Sequence, residues 1–214
     1  MYLPRPDQPT DAGQWRRFLH RHPFGQLVAA GRDRDVPVIS PTPFVLEPDD
    51  TVLLHLATPN PIWAAIEENP LVVLAVIGES AYVPGPWKAI GQEDPALGIP
   101  TQYYGAVQLT ARVELLPDAE ATLDVLRRMI DVFEEPGALA DPQVHTSKLP
   151  GIRAARLHPQ GVKAKFKYGG NVDVAHRLAV SERLAARGDA GDREARAQLL
   201  KPLENSGSPP SPNA

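Results

Sequence analysis

The chain predicts a mainly β barrel with flanking helices, an α+β class with antiparallel, Greek-key-like strands, and three observations carry that reading. Apolar segments of strand length recur from Phe24 to Phe166, turn signals built on Gly, Pro and Asp separate them, and only a few segments show helical period. With 43% of its 214 residues hydrophobic and 22% charged, the chain has the composition of an ordinary folded domain. The 24 prolines sit mostly between the apolar runs, so they punctuate the strands rather than break them.

The first element is a helix over residues 11–22. Trp15, Phe18, Leu19 and His22 fall at helical spacing there, Thr10 or Asp11 can cap it, and Pro23 stops it. Strands are expected at 24–30, 36–40, 44–46, 51–56 and 71–77, divided by turns at 31–35, 41–43 and 48–50. One helix interrupts them at 60–69, opened by Asn60 and Pro61 and closed by Pro70. A helix set inside a run of strands marks the place to look for a site. After Ala81-Tyr82-Val83 comes a loop over 84–100, rich in Pro and Gly and too long for a plain hairpin; loops of that length are commonly functional.

Residues 105–116 return to strand pattern, 118–133 read as a helix, and 134–150 read as irregular. Two last strands are expected at 152–157 and 162–166, and a helix at 172–186. The organisation expected is one barrel domain with its helices over 1–187, a helical extension over 188–204, and a polar, proline-rich tail over 205–214 that should be disordered.

Several function classes fall away on composition. Without cysteine there is no disulfide, thiolate metal site or cysteine nucleophile, and a cytoplasmic location is the default. The opening ten residues hold Pro4, Pro6 and Pro9 and no apolar run, which does not suit a secretory signal, and no stretch approaches the ~20 apolar residues of a membrane span. A net charge of -4 gives no general attraction to DNA; Arg177, Arg183, Arg187, Arg193 and Arg196 form the one candidate basic surface. The histidines show no metal-ligand spacing, and no Gly-x-Ser-x-Gly, Walker or dinucleotide fingerprint is present.

What remains is a set of groups suited to a flat, anionic ligand. The helix after Thr58-Pro59-Asn60 starts with unpaired N–H groups and the positive end of its dipole; by local sequence Thr58 and Asn60 are better read as its caps, with added donors to an anion as the alternative. Lys163, Lys165 and Lys167 alternate with apolar residues, so in a strand their ammonium groups share a face, either to meet an anion or simply to be solvated. Trp63, Tyr82, Trp87, Tyr103 and Tyr104 border the helix and the long loop, where rings can cover a planar ligand. Trp63, at helical spacing from Ile66, is better read as core. His55 stands at a strand end just before the helix start, to bind a ligand or to be buried and hydrogen-bonded.

A series of short motifs runs along the chain: Met1-Tyr2-Leu3-Pro4, His22-Pro23-Phe24-Gly25, Thr42-Pro43-Phe44, and His55-Leu56-Ala57 followed by Asn60-Pro61-x-Trp63. Then come Ala81-Tyr82-Val83 with Pro86-Trp87, Pro100-Thr101 with Tyr103-Tyr104, and Lys165-Phe166-Lys167 with Asn171. In its order this series resembles the PaiB-like FMN-binding negative transcriptional regulators. The chain departs from that family at Pro41, where a His is common, and at Thr58, where an Arg is common. The resemblance implies an FMN-binding split barrel acting as a homodimer, with FMN, or a related flavin or deazaflavin, at the subunit interface. In that reading Thr58, Asn60 and Lys165 hold the phosphate, Ser40, Thr42 and His55 line the site, and Trp87, Tyr103 and Tyr104 cover the ring. Any catalysis would be a flavin-mediated redox reaction. The alternatives are a ligand-sensing regulator that contacts DNA or protein, and a barrel that has exchanged flavin for another ligand such as haem.

Overall fold

A computed structural model describes residues 1–116 and 118–201; the tail expected at 205–214 and the end of the extension lie outside the described residues. Seven strands form one mainly antiparallel sheet: β1 (Phe24–Ala29), β2 (Val38–Pro43), β3 (Val45–Leu46), β4 (Val52–Ala57), β5 (Leu71–Val83), β6 (Thr101–Leu115) and β7 (Ile152–Lys167), in the order β2-β1-β5-β6-β7-β4-β3. The strands at the two ends of that order, β2 and β3, are consecutive in the chain and separated by one residue. That residue, Phe44, is fully buried, and its N–H donates to the Pro23 carbonyl at 3.0 Å. The sheet therefore has to curl until its ends lie side by side, which makes a barrel with an unzipped seam, the split barrel.

The helices are α1 (Gln14–Arg21), α2 (Ile62–Glu68), α3 (Ala119–Phe133), α4 (Val174–Arg187) and α5 (Asp192–Leu200). Among the described residues no helix is long and apolar enough to cross a membrane. The described chain divides into two compact units: one comprises Met1, Gly13–Gly78 and Ala106–Ala164, the other Tyr2–Ala12, Glu79–Gly105 and the described residues from Lys165 to Lys201.

The first unit holds the barrel core. Leu27, Leu54, Leu74, Leu109 and Leu157 are fully excluded from solvent, as are Phe18 of α1 and Ile62 of α2. Alternation along β1 sends Gly25, Leu27 and Ala29 inward and Phe24, Gln26 and Val28 outward. A smaller cluster of Val45, Leu53, Val125, Met129 and Ala154 fixes α3. The second unit buries Tyr103, Phe166, Tyr168, Leu184 and Leu199. Its α4 is capped by Asp173, whose side chain accepts the His176 N–H, and ends at Gly188 in the left-handed conformation that glycine supplies without a Cβ clash.

Three expectations change. The turn expected at 41–43 is part of β2, because β2 is an edge strand that pairs on one side only and tolerates Pro41 opposite Gln26. The two strands expected at 152–157 and 162–166 are one, β7, whose middle is exposed, so pairing carries the chain through a stretch that is polar locally. Strand β5 likewise runs on through Gly78, Glu79 and Ser80 to Val83.

Candidate functional site

In the first unit, Asn60 closes the start of α2. Its Oδ1 accepts the Ile62 N–H at 3.0 Å and the Ser40 hydroxyl at 3.0 Å, and its carbonyl accepts the Trp63 N–H at 3.2 Å. Two of the N–H groups at the start of α2, those of Ile62 and Trp63, are therefore met by Asn60 rather than turned to an anion. The Asn60 backbone N–H donates to the Ala57 carbonyl at 3.0 Å, while its side-chain Nδ2 makes no hydrogen bond among the described residues. Thr58 is exposed, but its hydroxyl donates to the Pro150 carbonyl and its N–H to the Gly151 carbonyl, each at 2.9 Å. Both bonds tie the approach to α2 onto the start of β7.

Thr42 is fully buried, with its hydroxyl donating to the Pro43 carbonyl at 2.9 Å. His55, half-buried on β4, places Nδ1 3.1 Å from Met129 Sδ, and burial pushes its pKa below the ordinary histidine value. Trp63 is core: its indole N–H donates to the Ala57 carbonyl at 2.9 Å, and the Arg153 guanidinium lies 5.1 Å from its ring. The structure thus brings Ser40 and Asn60 together and leaves Thr42 and His55 engaged elsewhere.

The second unit gathers the cations. Lys165 is buried although its neighbour two residues back, Lys163, is exposed, so the three alternating lysines do not form one solvated face. Its ammonium donates to the Tyr2 carbonyl at 3.2 Å, pairs with Asp7 at 3.4 Å, and lies 5.8 and 5.9 Å from the rings of Tyr2 and Tyr104. The N-terminal segment reaches it because Gly170 lets that backbone approach: a Cβ there would stand 2.3 Å from the Pro6 carbonyl oxygen. No sequence signal links Asp7 to Lys165.

Lys88 and Lys167 are half-buried and have no carboxylate partner among the described residues. Burial, with Lys167 acting in the same direction, holds the Lys88 ammonium below the ordinary lysine value. Lys88 lines a cavity of about 380 Å³ with Ala89, Glu93, Asp94, Leu97 and Gly98. Trp87 lies half-buried beneath Arg187, whose guanidinium is 4.8 Å from its ring. Tyr103 is buried, its ring 6.3 Å from that of Tyr168, and burial raises its phenol pKa. The sequence carries no signal for Lys88, since a lone lysine in a loop reads as solvated.

Over residues 1–160 the sequence matches the family described as "Putative FMN-binding domain". The chain belongs to this family. This FMN-binding-domain relative is also similar in fold to the FAD and heme binding protein from Mycobacterium smegmatis, at 20% identity and a TM-score of 0.58 over 86% of this chain and 82% of that one. It is similar to the flavocytochrome Anf3 from Azotobacter vinelandii as well, at 21% identity and a TM-score of 0.59 over 75% and 69% of the two chains. A third similar structure is the conserved hypothetical protein Rv2991 from Mycobacterium tuberculosis, at 11% identity and a TM-score of 0.57 over 81% and 94%. Comparison with curated proteins gives no match.

Proposed function

We propose that this chain is a flavin-binding split-barrel protein of the PaiB-like type, cytoplasmic and homodimeric. The observation that carries the reading is the family match over residues 1–160, which takes in β1 to β6 and half of β7. Two proteins of similar fold, both named for a flavin or a flavocytochrome, support it.

The groups present fit the anionic end of such a cofactor unevenly. At the start of α2 the fit is poor, since Asn60 already occupies the first N–H and Thr58 is bonded through both its hydroxyl and its N–H. In the second unit the fit is better: Lys88 and Lys167 are cations without carboxylate partners, and Lys165 needs only to exchange Asp7 for a phosphate. Trp87 and Tyr104 supply flat rings in the same unit, while Tyr103 is buried beside Tyr168. A bound flavin would supply hydride or single-electron chemistry, while these residues bind and orient it.

The dimer reading rests on the outer face of β2, β1 and β5. Ile39, Pro41 and Pro43 lie beside Val28, Gln26 and Phe24, which lie beside Val73 and Ala75, and only Gln26 among them is polar. Phe24 and Ile39 are 60% and 52% exposed, and Ile77, farther along β5, is 72% exposed. A sheet face facing water should alternate to polar residues, and this one does not. An apolar surface without charge pattern is best covered by an identical one across a two-fold axis.

Direct DNA binding draws little support, because Arg177, Arg183 and Arg187 bond to Leu199, to the Pro86 and Ala89 carbonyls, and to Asp192 within the second unit. Haem is the second reading, favoured by the similar fold of the FAD and heme binding protein; His55 and Met129 touch one another and leave no room for an iron between them. One experiment separates these readings. The purified protein is scanned for visible absorbance and titrated with FMN, FAD, a deazaflavin and haem. Saturable flavin binding that weakens at least tenfold in Lys165→Ala or Lys167→Ala supports the proposal; binding of haem alone, or of no ligand, rejects it.

A further inference from the structure

Helix α4 grips the 84–100 loop with one face. His176, Arg183 and Arg187 are spaced by seven and then four residues, so they project from the same side of the helix. Arg183 donates to the carbonyls of Pro86 and Ala89 at 3.2 and 3.4 Å, and Arg187 covers Trp87. His176 reaches farther along the loop, with Nε2 2.9 and 3.1 Å from the two carboxylate oxygens of Glu93. Its other nitrogen, Nδ1, stands 2.6 Å from Asp173, the residue that caps α4. Glu93 in turn accepts the Ile90 N–H at 3.0 Å, so the carboxylate that meets His176 also shapes the loop.

We propose that His176 is a pH-dependent clasp that holds residues 90–98 of the loop, and with them one wall of the cavity beside Lys88, against α4. A charged imidazolium donates from both nitrogens and satisfies Asp173 and Glu93 together. A neutral imidazole has one N–H; whichever carboxylate it serves, the other faces a lone pair. The clasp to the loop therefore depends on the second proton. The two arginine contacts carry charges that do not titrate in this range, so the 84–89 segment stays held while 90–98 is released.

The charged groups around His176 set the direction. Asp173 from its own helix and Glu93 from the loop both favour the imidazolium, and Asp94 and Lys88 line the cavity on the Glu93 side. Hydrogen bonds to Glu93 and then Asp173 raise the His176 pKa above the ordinary value; the Ile90 N–H and then His176 lower that of Glu93, and the His176 backbone N–H, with its side chain, lowers that of Asp173. A raised histidine contributes its stabilisation fully below the unfolded value and loses it as pH rises through the folded value. The clasp is closed in mildly acidic to neutral solution and opens on the alkaline side.

The test uses amide hydrogen exchange on the intact protein, read as protection factors so that the intrinsic pH dependence of exchange cancels. Four amides report on the 90–98 segment: those of Glu93, Ala96, Leu97 and Gly98, bonded to Ile90, Asp94, Asp94 and Pro95. Between about pH 6 and about pH 9 their protection should fall about tenfold as the imidazolium loses its second proton. The Trp87 and Ala89 amides should hold. His176→Gln should show low, pH-independent protection, and Glu93→Gln, which leaves α4 and its cap intact, should flatten the profile if His176→Gln disturbs folding. Unchanged wild-type protection across that range, or a wild-type profile in Glu93→Gln, overturns the proposal.

Discussion

The Lys165 ammonium stands 3.4 Å from the Asp7 carboxylate, with the two side chains 11% and 9% exposed. Removing one member of such a pair leaves an uncompensated buried charge. Lys165→Ala should therefore cost about 3 kcal/mol in urea unfolding, whereas the double change Lys165→Met with Asp7→Leu should recover most of the loss. A single variant within 0.5 kcal/mol of wild type, a difference of about twofold in the folding constant, would show that the pair is solvated.

Gly85 and Gly98 meet backbone to backbone at the neck of the 84–100 loop. A Cβ on Gly85 would lie 2.2 Å from the Gly98 carbonyl oxygen, and one on Gly98 would lie 2.0 Å from that of Gly85. Neither strand of the neck can yield without moving main chain, so Gly98→Ala should cost about 1–3 kcal/mol and raise exchange throughout the loop. Thermal unfolding and local exchange check this together, and Gly91→Ala, where a Cβ meets nothing within 4 Å but φ is +60°, separates crowding from backbone strain.

Trp63 anchors α2 through its indole bond to the Ala57 carbonyl and through Arg153 above its ring. Trp63→Phe keeps most of the buried surface and removes one of the two bonds that carbonyl accepts, the other coming from the Asn60 N–H, so it should destabilise by only about 0.5–1.5 kcal/mol; Trp63→Ala should cost about 3–5 kcal/mol by opening a cavity. Equal losses in the two variants, measured by urea unfolding, would contradict this division.

Glu68 holds the 31–35 turn by accepting the Arg34 Nε–H at 2.8 Å and the Arg32 N–H at 3.0 Å. These bonds lower its pKa to about 2. A depressed carboxylate stabilises above its unfolded value and loses that contribution as pH falls through the folded one. Carbon-detected NMR should find Glu68 still ionised at acidities where exposed glutamates are protonated, and Arg34→Ala should bring it back towards the ordinary range.

The barrel was legible because its strands carry their own pattern: Leu27 and Ala29 inward and Phe24 outward, Leu74 and Val76 inward and Ile77 outward. The α2 boundaries followed from Asn60 and Pro70, and Trp63 reads correctly as core. What the local sequence hid was long-range. Pro41 looked like a turn because its edge position is a property of the whole sheet, and β7 looked broken because pairing, not propensity, carries its polar middle. At the candidate site, Asp7 and Lys165 are separated by nearly the whole described chain, so no spacing rule joins them. The clasp was half legible: the spacing of 176, 183 and 187 was available, but nothing in the loop sequence pointed to Glu93 as the partner.

A single residue, Phe44, links the two margins of the sheet, which leaves the barrel wall no slack at that point. Widening the circumference would drag a fully enclosed ring out of the centre, so the wall behaves as a buckled belt rather than an elastic one. Lengthening the Phe44 connection by a residue or two should loosen the belt, read as a lower midpoint of urea unfolding.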